Sequence, residues 1–136
     1  MNTKSLFISH SWRYKDEYKR LTDLLINRGY FSFKDYSVPK DDPIRILGKT
    51  AYERKLREGI INQMRFFDVV ILIAGKYVTY SDSIQMELQI AREMGKPILA
   101  IRPYGANQTT SLAEVYADRI VNWNSDSIVD AIRELS

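Results

Sequence analysis

The chain has 136 residues, of which 45% are hydrophobic and 27% are charged, with 20 basic and 17 acidic side chains. This balance is typical of a globular protein, and the length fits one hydrophobic core, so we expect a single domain over residues 1–136. The absence of cysteine excludes disulfides and thiolate catalysis, and one histidine cannot build a usual zinc site, so no metal is expected. The longest apolar run, Val69 to Ala74, is too short for a membrane span, which favours a cytoplasmic protein.

The first part of the chain predicts a strand, a helix and a second strand. The apolar segment Ser5–Ser9 predicts a strand that leads into a polar turn, His10 to Arg13. Apolar residues at helical spacing follow it, and this helix is expected to end at Gly29. Tyr30–Lys34 predicts the second strand. The segment Asp35–Thr50 contains two prolines and shows no sustained period, so it predicts a long loop.

The middle of the chain continues this alternation. Apolar residues recur every four positions from Tyr52 to Met64 and predict a second helix. Asp68–Ala74 is continuously hydrophobic and β-branched, which is typical of a strand covered on both faces and predicts the central strand. A third helix is predicted over Ser81–Met94, and a buried strand over Pro97–Ile101.

The last part of the chain completes an α/β pattern. It predicts a helix at Ser111–Ala117, a strand at Arg119–Val121, and a final helix capped by Asn124 or Ser125. Five alternations favour a parallel sheet with helices on both faces. Ligands of such sheets bind at the carboxyl ends of the strands where the strand order reverses, between strands one and three in a flavodoxin-like order. The loops after these strands are therefore the candidate site, with the loop Asp35–Thr50 as a lid.

Glu87 stands out within the third helix. On an ideal helix of 100° per residue it falls inside the apolar arc, between Ala91 and Met94. A carboxylate there is desolvated or lies at the rim of a cleft, and both conditions favour a functional role because an unpaired buried charge is costly. Two structural explanations stay open: a basic partner on a neighbouring element, or a helix rotated to expose the side chain. The position after strand three favours function.

Ser9-His10-Ser11-Trp12 combines hydroxyls with free backbone amides at the start of a helix. Such a place suits phosphate or ribose oxygens. Helix capping by Ser11 and a hydrophobic anchor at Trp12 are the structural alternatives. His10 beside two serines does not indicate a nucleophile and base, because no Gly-x-Ser-x-Gly turn accompanies them.

The predicted lid carries basic residues. Lys40, Arg45 and Lys49 could neutralise a diphosphate, although charges in a loop are usually only solvated. Gly48-Lys49-Thr50 does not complete a phosphate-binding loop, because that motif needs glycine where Pro43 stands. A dinucleotide fingerprint of the Gly-x-Gly-x-x-Gly type is absent as well.

Two segments carry a resemblance to a known family. Lys4–Trp12 resembles the first box of TIR and TIR-like domains, and Tyr80–Glu87 with Gly95–Ile98 resembles their third helix and fourth strand. The resemblance is closest to the bacterial TIR-like proteins of Thoeris antiphage defence and their archaeal relatives. It implies a flavodoxin-like, three-layer fold with a five-stranded parallel sheet.

The resemblance also implies an activity, namely cleavage of NAD at the nicotinamide N-glycosidic bond, with Glu87 as the catalytic glutamate. NAD is then a substrate, and no cofactor is expected. The product would be a cyclic ADP-ribose-type nucleotide that diffuses to a separate effector protein. The family further implies a homo-oligomer on activation, in which the loop after strand two completes the site of a neighbour. The substrate-binding residues expected are Ser9, His10, Ser11, Trp12, Ser81 and Ser83.

One departure from the family pattern bears on this prediction. Enzymatic members carry a Ser-x-Trp pattern before the glutamate, and here Ser81 fits whereas Ser83 replaces the tryptophan. This replacement predicts a reshaped site with weak or effector-dependent activity.

Three other functions stay open. A noncatalytic TIR-like module would use the loop after strand two to bind proteins and would not consume NAD. A relative of nucleoside deoxyribosyltransferases would also use a lone glutamate, but on free nucleosides. A nucleic-acid-binding domain is the least favoured, because basic residues do not alternate with exposed aromatics in any one element.

Overall fold

The computed structural model describes residues 3–9, 15–35, 54, 57–62, 65–73, 82–102 and 111–136. Five strands are present: β1 (Lys4–Ser9), β2 (Phe33–Asp35), β3 (Val69–Ile73), β4 (Ile98–Ile101) and β5 (Arg119–Val121). The helices are α1 (Lys15–Arg28), α2 (described over 57–62), α3 (Asp82–Glu93), α4 (Ser111–Tyr116) and α5 (Ser125–Leu135).

The strands form one parallel sheet in the order β2-β1-β3-β4-β5. This is the flavodoxin-like order, so the predicted fold class is confirmed. The order reverses between β1 and β3, whose register pairs Ser9 with Leu72. The carboxyl ends of these two strands therefore lie side by side, where this fold class places its ligands.

Helices cover both faces of the sheet, and the period of two along each strand divides the core between them. The central strand β3 is buried throughout, as predicted. Its residues Val69, Ile71 and Ile73 pack toward α1 and α5. Val70 and Leu72 pack on the opposite face toward α2, α3 and α4. The chain is thus a three-layer structure with one core on each side of the sheet.

The second strand starts later than the sequence pattern indicated. The prediction of Tyr30–Lys34 was wrong at its start, because β2 is Phe33–Asp35. Gly29 and Tyr30 have φ angles of 73° and 57°, in the left-handed region, so the backbone turns sharply after α1. The Arg133 guanidinium also donates to the carbonyl oxygen of Tyr30 at 2.7 Å. Extended pairing can begin only beyond this turn.

Apart from α2, whose ends lie outside the described residues, the other elements follow the predicted positions within one or two residues. The helix over Ser81–Met94 is observed as α3, and Gly95 after it has a φ of 70°. Of the two predicted caps, Asn124 is the N-cap of α5, and its side chain accepts a hydrogen bond from the Ser127 amide at 3.0 Å. None of the helices in the described ranges has the length and apolar character needed to cross a membrane.

Two aspartates secure the amino-terminal edge of the sheet, opposite the carboxyl ends. Asp68 precedes β3, and its Oδ2 accepts a hydrogen bond from the Ser5 amide of β1 at 2.9 Å. Asp118 precedes β5, and its Oδ2 accepts from the Ile98 amide of β4 at 2.8 Å. In both cases the aspartate amide also donates to the carbonyl of the same partner residue. Each carboxylate therefore joins the start of one strand to its neighbour.

We expect Asp68→Ala and Asp118→Ala each to lower the free energy of unfolding by about 1 to 2 kcal/mol, because each leaves a strand amide without its acceptor. Urea unfolding followed by circular dichroism measures the change. Asp118→Asn keeps an acceptor oxygen and should lose less. Asp130→Ala removes an exposed carboxylate from α5 and should change stability by no more than about 0.5 kcal/mol. A loss at Asp118 no larger than at Asp130 would contradict this role.

Candidate active site

Ser9 and Glu87 are the two buried polar or charged residues within the described part of the chain, with exposed fractions of 0% and 6%. Ser9 ends β1, and Glu87 lies in the middle of α3. Buried polar groups are costly unless they are paired. Their joint burial at the carboxyl edge of the sheet therefore marks this place as the candidate site.

The local sequence explains why both side chains enter the same space. Phe7 packs in the core cluster on the α3 side of the sheet, and Ser9 lies two residues later on the same face. On α3, Ile84, Leu88 and Ala91 are buried in that same cluster. Glu87 is one turn from Ile84 and Ala91, so the helix turns it toward the sheet with them.

The two side chains contact each other directly. The Ser9 hydroxyl donates a hydrogen bond to Oε2 of Glu87. Across the ranges that the structure describes, Glu87 has no basic partner, and Oε1 receives no hydrogen bond. The predicted burial of Glu87 is therefore confirmed, and a rotated, exposed helix is excluded. Among the described residues its partner is a neutral hydroxyl.

Burial raises the pKa of Glu87 from its ordinary value of 4.5 to about 8. The dominant cause is desolvation, which disfavours the charged form, and the Ser9 hydrogen bond acts in the opposite direction. The carboxyl group is therefore mostly protonated at neutral pH. A positive charge brought close to it would favour the ionised form.

This arrangement is suited to stabilising positive charge that develops on a bound molecule. A carboxylate in a site that excludes water interacts more strongly with such a charge than it would in bulk solvent. The described residues contain no group of three His, Asp or Glu side chains arranged as metal ligands.

A second polar contact at this edge was not anticipated from the sequence. The Tyr18 hydroxyl of α1 donates to Oδ2 of Asp35, the last residue of β2. Tyr18 lies on the apolar face of α1 and packs against the core, and an aromatic ring at helical spacing gives no sign of a polar contact. The bond ties α1 to the first residue of the predicted lid, Asp35–Thr50, of which Asp35 is described.

The predicted site residues differ in whether they belong to the described part of the chain. Ser9 and Glu87 are brought together, whereas the backbone of Ser83 lies in α3 and its side chain is not described. The remaining predicted substrate and phosphate contacts lie outside the described residues: His10, Ser11, Trp12, Ser81, Lys40, Arg45 and Lys49. Their roles stay predictions.

In a comparison with known proteins, one family model matches most of the chain. A family model described as "Thoeris protein ThsB, TIR-like domain" matches residues 7–108, which include both Ser9 and Glu87. No curated protein sequence matches the chain.

Two solved structures resemble the chain over nearly its whole length. The SEFIR domain of IL-17 receptor B matches with a TM-score of 0.58 and 11% identity, covering 98% of this chain and 94% of that one. A 3-dehydroquinate dehydratase-like protein from Bifidobacterium longum matches with a TM-score of 0.47 and 11% identity, covering 99% and 95%. At this identity the SEFIR likeness shows a shared fold.

The raised pKa of Glu87 predicts that stability depends on pH. Between pH 4.5 and about 8 the folded protein keeps a proton that the unfolded chain has lost, so the free energy of unfolding should fall as pH rises through this range. Glu87→Gln has no such proton. Its stability relative to the unsubstituted protein should therefore grow from pH 5 to pH 9, by about 4 kcal/mol. Urea unfolding at a series of pH values measures this difference, and parallel curves would contradict it.

Proposed function

Because the chain belongs to the family of the Thoeris protein ThsB TIR-like domain, we propose that it cleaves NAD at the nicotinamide N-glycosidic bond in antiphage defence. Glu87 is the catalytic residue in this proposal. The observation that carries it is the burial of this carboxyl group at the carboxyl edge of β1 and β3, with a neutral hydroxyl as its partner.

The chemistry of NAD fits a site with one carboxylate. Nicotinamide is bound to the ribose as a cation, so it leaves as a neutral molecule and needs no general acid. The bond between C1′ and the ring nitrogen breaks, its electron pair goes to that nitrogen, and positive charge develops on the ribose as in glycoside hydrolysis. Glu87, in ionised form, stabilises this charge and accepts hydrogen bonds from the ribose hydroxyls.

The nucleophile decides the product. Attack by water at C1′ releases one proton and yields ADP-ribose. Attack by a ribose hydroxyl or a base nitrogen of the same molecule yields a cyclic ADP-ribose-type nucleotide. We propose the cyclic product as a diffusible signal to a separate effector. Homo-oligomers, in which the loop after β2 completes a neighbouring site, are the proposed active form.

Incubation of the purified protein with NAD, followed by chromatography with mass detection, tests the activity. We expect release of nicotinamide together with a cyclic or linear ADP-ribose product. High protein concentration tests whether activity requires assembly. Lysate from phage-infected cells tests whether it requires a trigger. Glu87→Gln should reduce turnover by at least about 10²- to 10³-fold, because the charge that stabilises the transition state is lost.

Glu93→Gln is the matched control, since Glu93 lies on the same helix but is exposed and pairs with Arg57. It should keep full activity. Equal turnover by Glu87→Gln and the unsubstituted protein would disprove the catalytic assignment. Failure to release nicotinamide under every condition would favour a noncatalytic interaction module, and turnover of free nucleosides in preference to NAD would favour a deoxyribosyltransferase-like enzyme.

The pH dependence of NAD cleavage follows from the same carboxyl group. If ionised Glu87 is required, kcat/KM should rise about tenfold per pH unit and level off above about pH 8, the pKa of the free protein. The profile of kcat should level off at lower pH, because the bound nicotinamide cation favours the carboxylate. Steady-state rates from pH 5 to 10 give both profiles. Rates that fall as pH rises through 8 would show that the protonated form is the active one.

A further inference from the structure

We propose that Ser9 is a positioning residue that fixes the orientation of the Glu87 carboxylate and favours its ionised form, and that it makes no contact with substrate. This inference rests on the proposed function for its catalytic meaning. It deepens that function by giving the site a second residue, which acts through Glu87.

The exposed fractions of the two side chains separate their roles. Ser9 is 0% exposed and Glu87 is 6% exposed, so within this pair the accessible surface belongs to Glu87. The Ser9 hydroxyl has one proton to donate, and it donates that proton to Oε2 of Glu87. A hydroxyl whose proton is engaged cannot donate to a ribose, and full burial keeps its acceptor lone pairs from a ribose as well.

The backbone of Ser9 makes it a rigid support. β1 is paired on both sides, with β2 and with β3, and the register on the β3 side includes Ser9 itself opposite Leu72. A serine side chain has one rotatable bond before its oxygen, whereas Glu87 has three before its carboxylate. A fixed donor on Oε2 therefore restrains the plane of a longer and more mobile group. It leaves Oε1, to which no described residue donates a hydrogen bond, for the reacting molecule.

The strand pattern also sets Ser9 apart. Residues 5, 7 and 9 of β1 share one face, and Phe7 belongs to the apolar cluster under α3. An apolar side chain at position 9 could be buried without the desolvation of a polar group. Serine supplies a hydrogen bond to the charged form of Glu87, which opposes the desolvation that favours the neutral form.

The direct test is a titration of the Glu87 carboxyl group by ¹³C NMR in the full chain. Glu87→Gln identifies the resonance. We expect Ser9→Ala to raise the pKa of Glu87 by about one to two pH units, the effect of losing a hydrogen bond to a charged group. Ser9→Thr keeps a hydroxyl and should restore most of the original value. Ser5→Ala, on the same strand and the same face, should leave it unchanged.

The kinetic test uses the pH profile of NAD cleavage. Ser9→Ala should move the rise in kcat/KM to higher pH by the same amount as the titration, with a loss of about tenfold or more at pH 7. At pH well above the new pKa the KM for NAD should equal that of the unsubstituted protein, because Ser9 does not contact substrate. Ser9→Thr should recover the profile.

The outcomes separate this inference from the proposed function. An unchanged pKa of Glu87 in folded Ser9→Ala would overturn it, and so would a pKa in Ser9→Thr that is raised as far as in Ser9→Ala. A KM raised at every pH, with no movement of the profile, would overturn it in favour of a direct substrate contact. The titration does not require NAD cleavage. A protein that never cleaves NAD refutes the proposed function, but NMR still decides whether Ser9 lowers the pKa of Glu87.

Discussion

The parallel pairing of β1 with β3 is the constraint on which the candidate site depends. These strands are distant in the sequence, and their pairing sets Ser9 opposite Leu72 at the carboxyl edge. Because α3 follows β3 and packs on the same face as Phe7, the pairing also brings Glu87 to the end of β1. A shift of one residue in this register would turn Ser9 to the opposite face of the sheet, away from α3.

The burial of Glu87 destabilises the fold, and packing elsewhere in the molecule offsets this destabilisation. A carboxyl group that is nearly fully buried, with a hydroxyl as its partner, is stable in its neutral form and disfavoured in its ionised form. The apolar clusters on both faces of the sheet supply the stabilisation that allows this position to persist. Local destabilisation of this kind is common where a protein keeps a reactive group away from water.

Carboxyl groups have different surroundings at the two edges of the sheet. At the amino-terminal edge, Asp68 and Asp118 use exposed carboxylates to bind the starts of neighbouring strands. At the carboxyl edge, Glu87 is withdrawn from solvent, and Asp35 accepts a hydrogen bond from Tyr18. Carboxyl groups thus join neighbouring strands at one edge, whereas one of them is buried at the other edge, and the surroundings determine whether the charge is solvated.

The sequence by itself determined the alternating elements, the parallel sheet and the place of Glu87 within the apolar arc of α3. These follow from periodicity and apolar runs, which are local properties of the chain. The start of β2 was missed because two left-handed residues, Gly29 and Tyr30, turn the backbone in a way that hydrophobicity does not encode. The bond between Ser9 and Glu87 was decided only by the tertiary structure. Both residues were candidates, but a contact between distant segments depends on strand order and register, and these arise only when the whole sheet assembles.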